Sequence, residues 1–185
     1  MGRPSLAEQR RMEICRALQS AVIRNGSYEL TSVKDIAQEA GMAAVMLHHY
    51  FESKDDFLLV TAEMVLLELQ NRLDDLLHTR DAIERQEQLE DLLNDNSQNR
   101  FYIMLQALAL SMPAVNDMLL GEQQEMRDIL AGTLERRNMP TEMAKREAER
   151  FTFLLCSALT TPEGVQSAAA KQMTAEALQQ LFPLD

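Results

Sequence analysis

The side chains of this sequence that could do chemistry are few and scattered. His48 and His49 are adjacent, so on a helix their imidazoles point about 100° apart and do not share a metal ion. Asp74 and His78 stand four residues apart and share one helical face. One carboxylate and one imidazole do not close a metal site, and the pair reads as part of a solvated charged face. Cys156 and Ser157 are nucleophile types with no His in a local motif, and Cys15 has no Cys or His at ligand spacing. Asp55 and Asp56 fall at the start of a helix, where carboxylates complement the helix dipole rather than perform acid–base work. No metal, no cofactor and no enzymatic activity are expected.

Wider patterns exclude further classes. The six glycines are never closer than eleven residues, which removes a P-loop, a dinucleotide-binding turn and a nucleophile elbow together. Charges at Arg3, Glu8, Arg10, Arg11, Glu13 and Arg16 occupy the place of a signal peptide's apolar region. The longest uncharged run, Phe101 to Asn116, is sixteen residues interrupted by Gln106 and Pro113, too short to span a bilayer. A soluble, cytoplasmic protein without a membrane partner is expected. Leu, Ala and Met supply 61 of the 185 residues against 22 Val, Ile and Thr, so the fold class is all-α. The net charge of −11 is unevenly spread, because residues 1–54 sum to +1 and residues 55–185 to −12. An acidic body repels nucleic acid, so any DNA contact belongs to the head.

The elements that must position these residues follow from caps and periodicity. Ser5 with Glu8 opens a first helix as a capping box, Ile14, Ala17, Leu18, Ala21 and Val22 form its buried stripe, and Asn25-Gly26 ends it. A second, brief helix starts at Thr31-Ser32 with Asp35 and stops at Ala40-Gly41; a third runs from about Ala43 to Tyr50. Ser53 caps a long fourth helix, Lys54 to about His78. Five more follow: from Asp81 to near Asn94, Ser97 to Leu110, Pro113 to about Arg137, Pro140-Thr141 to Thr160-Thr161, and Ala168 to Phe182. We expect two domains, a helical head over residues 1–53 and a larger helical body over 54–185.

The head carries the informative constellation. In VKDIAQEAGMAAVMLHHYF, Ala37 precedes Gly41 by four residues. Two short helices crossing steeply need a small residue where their backbones approach and a residue tolerant of positive φ in the turn. This predicts a helix-turn-helix whose second helix enters a major groove.

The stretch from Thr31 to Leu59 resembles the DNA-binding domain of the TetR family of bacterial transcriptional repressors. The matching residues are Thr31-Ser32-Val33, Asp35-Ile36-Ala37, Ala40-Gly41, Leu47, His49-Tyr50-Phe51 and Ser53-Lys54. The resemblance implies that Thr31, His49, Tyr50 and Lys54 grip DNA phosphates, and that Ala43, Ala44 and Met46 face the groove. His48 stands where relatives often carry Tyr, and Ala43, Ala44 and Met46 where they usually carry polar residues. A start of Ala43-Ala44-Val45-Met46 can read thymine methyls but offers no bidentate base contact. Arg3 and Arg10 on the leading arm add further phosphate or minor-groove contacts.

The resemblance also implies a homodimer with a ligand site in the body. The expected apolar pocket is Met64, Met104, Leu105, Leu108 and Met112, suited to a small hydrophobic molecule, neutral or cationic, because no Arg or Lys falls between Phe101 and Asn116. The expected dimer interface is Phe151, Leu154, Leu155, Ala158, Leu178 and Leu181, in a four-helix bundle of the last two helices from each copy. The resulting expectation is a repressor released from a palindromic double-stranded DNA operator when ligand swings the Lys54–His78 helix. The alternative is a helical sensor or scaffold protein whose helix-turn-helix has lost sequence-specific DNA binding.

Overall fold

The computed structural model describes residues 6–161 and 165–183. Among these residues nine helices and no strand are found: α1 (Leu6–Asn25), α2 (Val33–Glu39), α3 (Ala44–Leu47), α4 (Lys54–His78), α5 (Ala82–Leu93), α6 (Asn96–Ala109), α7 (Pro113–Arg136), α8 (Thr141–Thr160) and α9 (Val165–Leu181). The Ser5–Glu8 capping box lies outside the described residues. The other local signals act as expected. Ser32 and Asp35 form a reciprocal capping box at α2, and the Ser53 hydroxyl accepts the Asp56 amide at α4. Asp81 accepts the amides of Ile83 and Glu84, and Pro113 occupies the first turn of α7. Gly26 and Gly41 adopt φ of +80° and +64° at the ends of α1 and α2, conformations that cost a residue with a Cβ.

Two helices depart from the pattern. α3 is α-helical over only Ala44–Leu47. Beyond it the amides of His49 and Tyr50 bond back three residues, to Met46 and Leu47, at 3.2 and 2.9 Å. With no side-chain cap at Ala43 and so few residues, the segment tightens into a turn at 48–50. α9 starts three residues before the expected Ala168, because Val165–Ser167 continue the helical turn although no apolar period marks them.

α4, about 37 Å long at 1.5 Å per residue, is the spine. Its first turns close the head core: Phe57 stacks on Phe51 at a centroid distance of 4.2 Å, and buried Thr61 meets Cys15 of α1. Ile14, Leu18, Ile36, Ala37 and Leu47 complete that core. Further along, Leu66, Leu69, Leu73, Leu76 and Leu77 are buried in the body. There α7 packs on α4 and α8, α8 on α9, and α6 on α7, α8 and α1. The α1–α6 contact seats the head directly on the body.

Candidate nucleic-acid interface

The loop between α1 and α2 folds around Tyr28. This ring is buried, its hydroxyl donates to Asp55 Oδ1 at 2.7 Å, and its carbonyl accepts Lys54 Nζ at 2.6 Å. The Lys54 ammonium also lies 4.0 Å from the Tyr28 ring centroid, a cation–π contact. Burial lowers the pKa of Lys54 and raises that of the Tyr28 phenol. Lys54 is thus half-buried and held in one place at the start of α4. One of its three N–H donors is used by the Tyr28 carbonyl.

The expected DNA residues divide by exposure. Ala43, Met46, His48 and His49 are exposed; Ala44, Tyr50 and Lys54 are half-buried. Thr31 is different. It is wholly buried, its hydroxyl donates to the Ser27 carbonyl at 2.8 Å and accepts from Asn25 Nδ2 at 3.3 Å. The Thr31 side chain therefore ties the loop to the end of α1 and presents no hydroxyl to a phosphate. Val45, 67% exposed, and Met46, 43% exposed, form the projecting surface of α3, and His48 and His49 are exposed in the turn that follows. Arg10 pairs with Glu13, and Arg3 lies outside the described residues. The Tyr28 loop was missed in the sequence because one tyrosine between two polar segments carries no periodic signal.

The expected pocket residues also divide. Met104 and Leu108 line a cavity of about 680 Å³. Leu105 is fully buried in the core, and Met64 and Met112 pack half-buried against the core without lining this cavity. The cavity lies between the Gly26–Glu29 loop and helices α6, α8 and α9, and Arg100 and Lys171 stand on its wall. The expectation of a pocket without basic residues is corrected here, since both cations lie outside the Phe101–Asn116 run on which it rested.

Of the residues expected at a dimer interface, Phe151, Leu155, Ala158 and Leu178 are buried within the single chain, where they pack α8 and α9 into the core. Leu154 and Leu181 are half-buried. The outward apolar surface of these helices is instead Phe153, 72% exposed, with Met143 and Met173. α8 is apolar at both Phe151 and Phe153, and periodicity assigned the core to the wrong partner surface. Phe153, Leu154 and Met173 border a shallow groove with Arg146, Arg150, Glu149 and Glu176. No helix of the described residues is long and apolar enough to cross a membrane, and no group of three or more His, Cys, Asp or Glu placed to hold a metal occurs among them.

Comparison with known proteins places this geometry. Residues 20–61, from α1 through the first turns of α4, match the family model described as bacterial regulatory proteins, tetR family. The chain is 31% identical over 86 residues to the HTH-type transcriptional regulator PksA of Bacillus subtilis, covering 46% of this chain and 41% of that protein. It is 42% identical over 59 residues to the HTH-type transcriptional regulator BetI of Agrobacterium fabrum, covering 30% and 28%. The matched parts thus span less than half of either relative. Beyond the head the likeness is one of fold. A TetR transcription regulator from Haloarcula marismortui superimposes with a TM-score of 0.73 at 18% identity, over 93% of this chain and 97% of that one. GusR of Salmonella enterica superimposes at 0.68 and 19% identity, over 99% and 100%. The head, residues 20–61, thus matches the helix-turn-helix of the tetR regulatory proteins, and the chain shares the helical fold of these solved structures over almost its whole length.

Proposed function

We propose that the chain is a homodimeric, ligand-responsive transcriptional regulator, most simply a repressor, whose head (residues 1–53) binds a palindromic DNA operator and whose body (54–185) binds ligand and a second copy. The observation that carries this reading is the outer face of the head. Lys54 is anchored to the Tyr28 loop at the start of α4, Val45, Met46, His48 and His49 are exposed, and residues 1–54 carry a charge of +1 against −12 for residues 55–185. Only that end of the molecule can approach a polyanion without strong repulsion. α3 would supply apolar contact with thymine methyls, while Lys54, His49 and Tyr50 fix register on phosphates.

Gel-shift selection against genomic fragments tests the reading. Lys54→Ala should weaken binding to every selected sequence and flatten the salt dependence by about one unit per half-site. Met46→Ala should instead change which sequence is preferred. Unchanged affinity and salt slope in Lys54→Ala would remove the proposed head orientation. Recovery of no preferred fragment would favour the second reading, a sensor or scaffold protein, which the wholly apolar surface of α3 supports.

The body is expected to pair through the outward face of α8 and α9. Charges of both signs, Arg146 and Arg150 against Glu149 and Glu176, surround Phe153 and Met173, a self-complementary arrangement of the kind a two-fold contact needs. Phe153→Glu should weaken self-association by roughly thirtyfold or more, as for an interface hot spot. Sedimentation velocity at micromolar concentration is the measurement, and a wild-type monomer there sinks the dimer.

A further inference from the structure

The cavity between head and body is chemically asymmetric. Its α6 wall is apolar at Ile103, Met104 and Leu108, and α8 adds Ala158 and Leu159. One turn before Met104, Arg100 stands at the rim, and Lys171 of α9 stands there too, its ammonium bonded to Asn94 Oδ1 at 2.8 Å. Among the described residues neither cation pairs with a carboxylate. The acid on the lining is Glu29 of the head, which is exposed and accepts the Ser27 hydroxyl at 3.0 Å. In a chain whose residues 55–185 sum to −12, the cavity therefore carries an excess of positive charge beside apolar walls. Its 680 Å³ lies in the range of small-molecule sites.

We infer that this cavity binds an amphipathic organic monoanion, an apolar chain or ring bearing one carboxylate, with the charge at Arg100 and Lys171 and the apolar part against Met104, Leu108 and Leu159. Its occupancy is transmitted to the DNA-facing end of α4 through Tyr28. The binding stands on the cavity alone, and its consequence for DNA rests on the regulator reading above. The head wall of the cavity is the loop that holds Lys54: the Tyr28 carbonyl takes its ammonium at 2.6 Å, and the Tyr28 hydroxyl holds Asp55 at 2.7 Å. A ligand seated against Ser27–Glu29 presses on that anchor. It shifts the lysine that meets phosphate without requiring α4 to swing as a whole.

Octanoate is the probe, with octanol and octylammonium as neutral and cationic controls of equal chain length. Octanoate should raise the melting temperature and bind by calorimetry at least about tenfold more tightly than either control. The double variant Arg100→Gln, Lys171→Gln changes only rim side chains. It should lose octanoate affinity by about tenfold while keeping that for octanol. Equal binding of all three probes, or unchanged octanoate affinity in the double variant, overturns the site. Fluorescence anisotropy of bound DNA reads the coupling separately. Octanoate that binds with the stated pattern yet leaves DNA affinity unchanged overturns the route through Tyr28. A full-length wild-type protein that binds no DNA either with or without octanoate sinks the regulator reading, and calorimetry still decides the site.

Discussion

Glu122→Leu should make the protein more stable, and by an amount that grows with pH. Glu122 sits on the buried stripe of α7 between Leu119 and Met126. It is 6% exposed, and its Oε1 is buried without a hydrogen-bond partner. Burial, reinforced by Glu125 on the same helix, pushes its pKa up to about 8. The titratable groups packed towards it from other helices are Cys156 of α8, whose thiol is pushed up by burial, and beyond it the buried Tyr102 of α6. Among the described residues no cation of α6 or α8 is bonded to the carboxyl. An unfolded glutamate loses its proton near pH 4.5, whereas folding keeps this one protonated to about 8. The folded state thus holds more protons across that window, so stability falls as pH rises through it and levels off above. The expected loss between pH 5 and pH 8 is about 3 kcal/mol from this one group. Urea denaturation at both pH values should show Glu122→Leu gaining far more at pH 8. Equal gains at the two values would mean that the carboxyl is ionised in the folded protein.

The second large effect is the opposite in sign. Arg85→Ala should cost about 3 kcal/mol of stability, the expected result of orphaning several buried carbonyls at once. The Arg85 side chain is buried and donates to the carbonyls of Thr79 at 2.8 Å, Arg80 at 3.2 Å and Phe182 at 3.1 Å. Its guanidinium lies 5.2 Å from the Phe182 ring centroid, with Arg137 at 4.5 Å from the same ring. One planar fork thereby joins the C-terminal end of α4 to that of α9, two ends whose carbonyls carry partial negative charge. Lys retains the charge but not the geometry, so Arg85→Lys should recover less than half of the loss. Chemical denaturation of the three proteins decides this. A cost below about 1 kcal/mol for Arg85→Ala would place the clamp's carbonyls in water, where solvent replaces the lost donors.

Much of the architecture could be read before any coordinates, wherever the signal was local. Ser32 with Asp35, Ser53 before Asp56, Asp81 before Glu84 and Pro113 each mark a helix start within four residues, and each does so in the structure. Gly41 after Ala37 marks the turn of the head for the same reason, a backbone requirement confined to one or two residues. The candidate interface was partly legible. The exposed Ala43, Met46, His48 and His49 follow from one short helix and the turns at its two ends. Thr31 does not: whether its hydroxyl meets solvent or the Ser27 carbonyl depends on how the loop closes over α1.

The amino-acid sequence by itself determined the all-helical class, most of the helix limits, the helix-turn-helix and the charge divide between head and body. These depend on propensity, capping and counts, all of which act within a few residues or sum along the chain. Tertiary structure alone decided which of two apolar faces of α8 goes inward, and so left Phe153 rather than Phe151 exposed. It alone brought Lys171 and Arg100 to one cavity, set Tyr28 beneath Lys54, carried Arg85 to the end of α9 and buried Glu122 Oε1 with no hydrogen-bond partner among the described residues. Each of these joins residues distant in the chain. Their contact is set by how whole helices pack against one another, which no local pattern encodes.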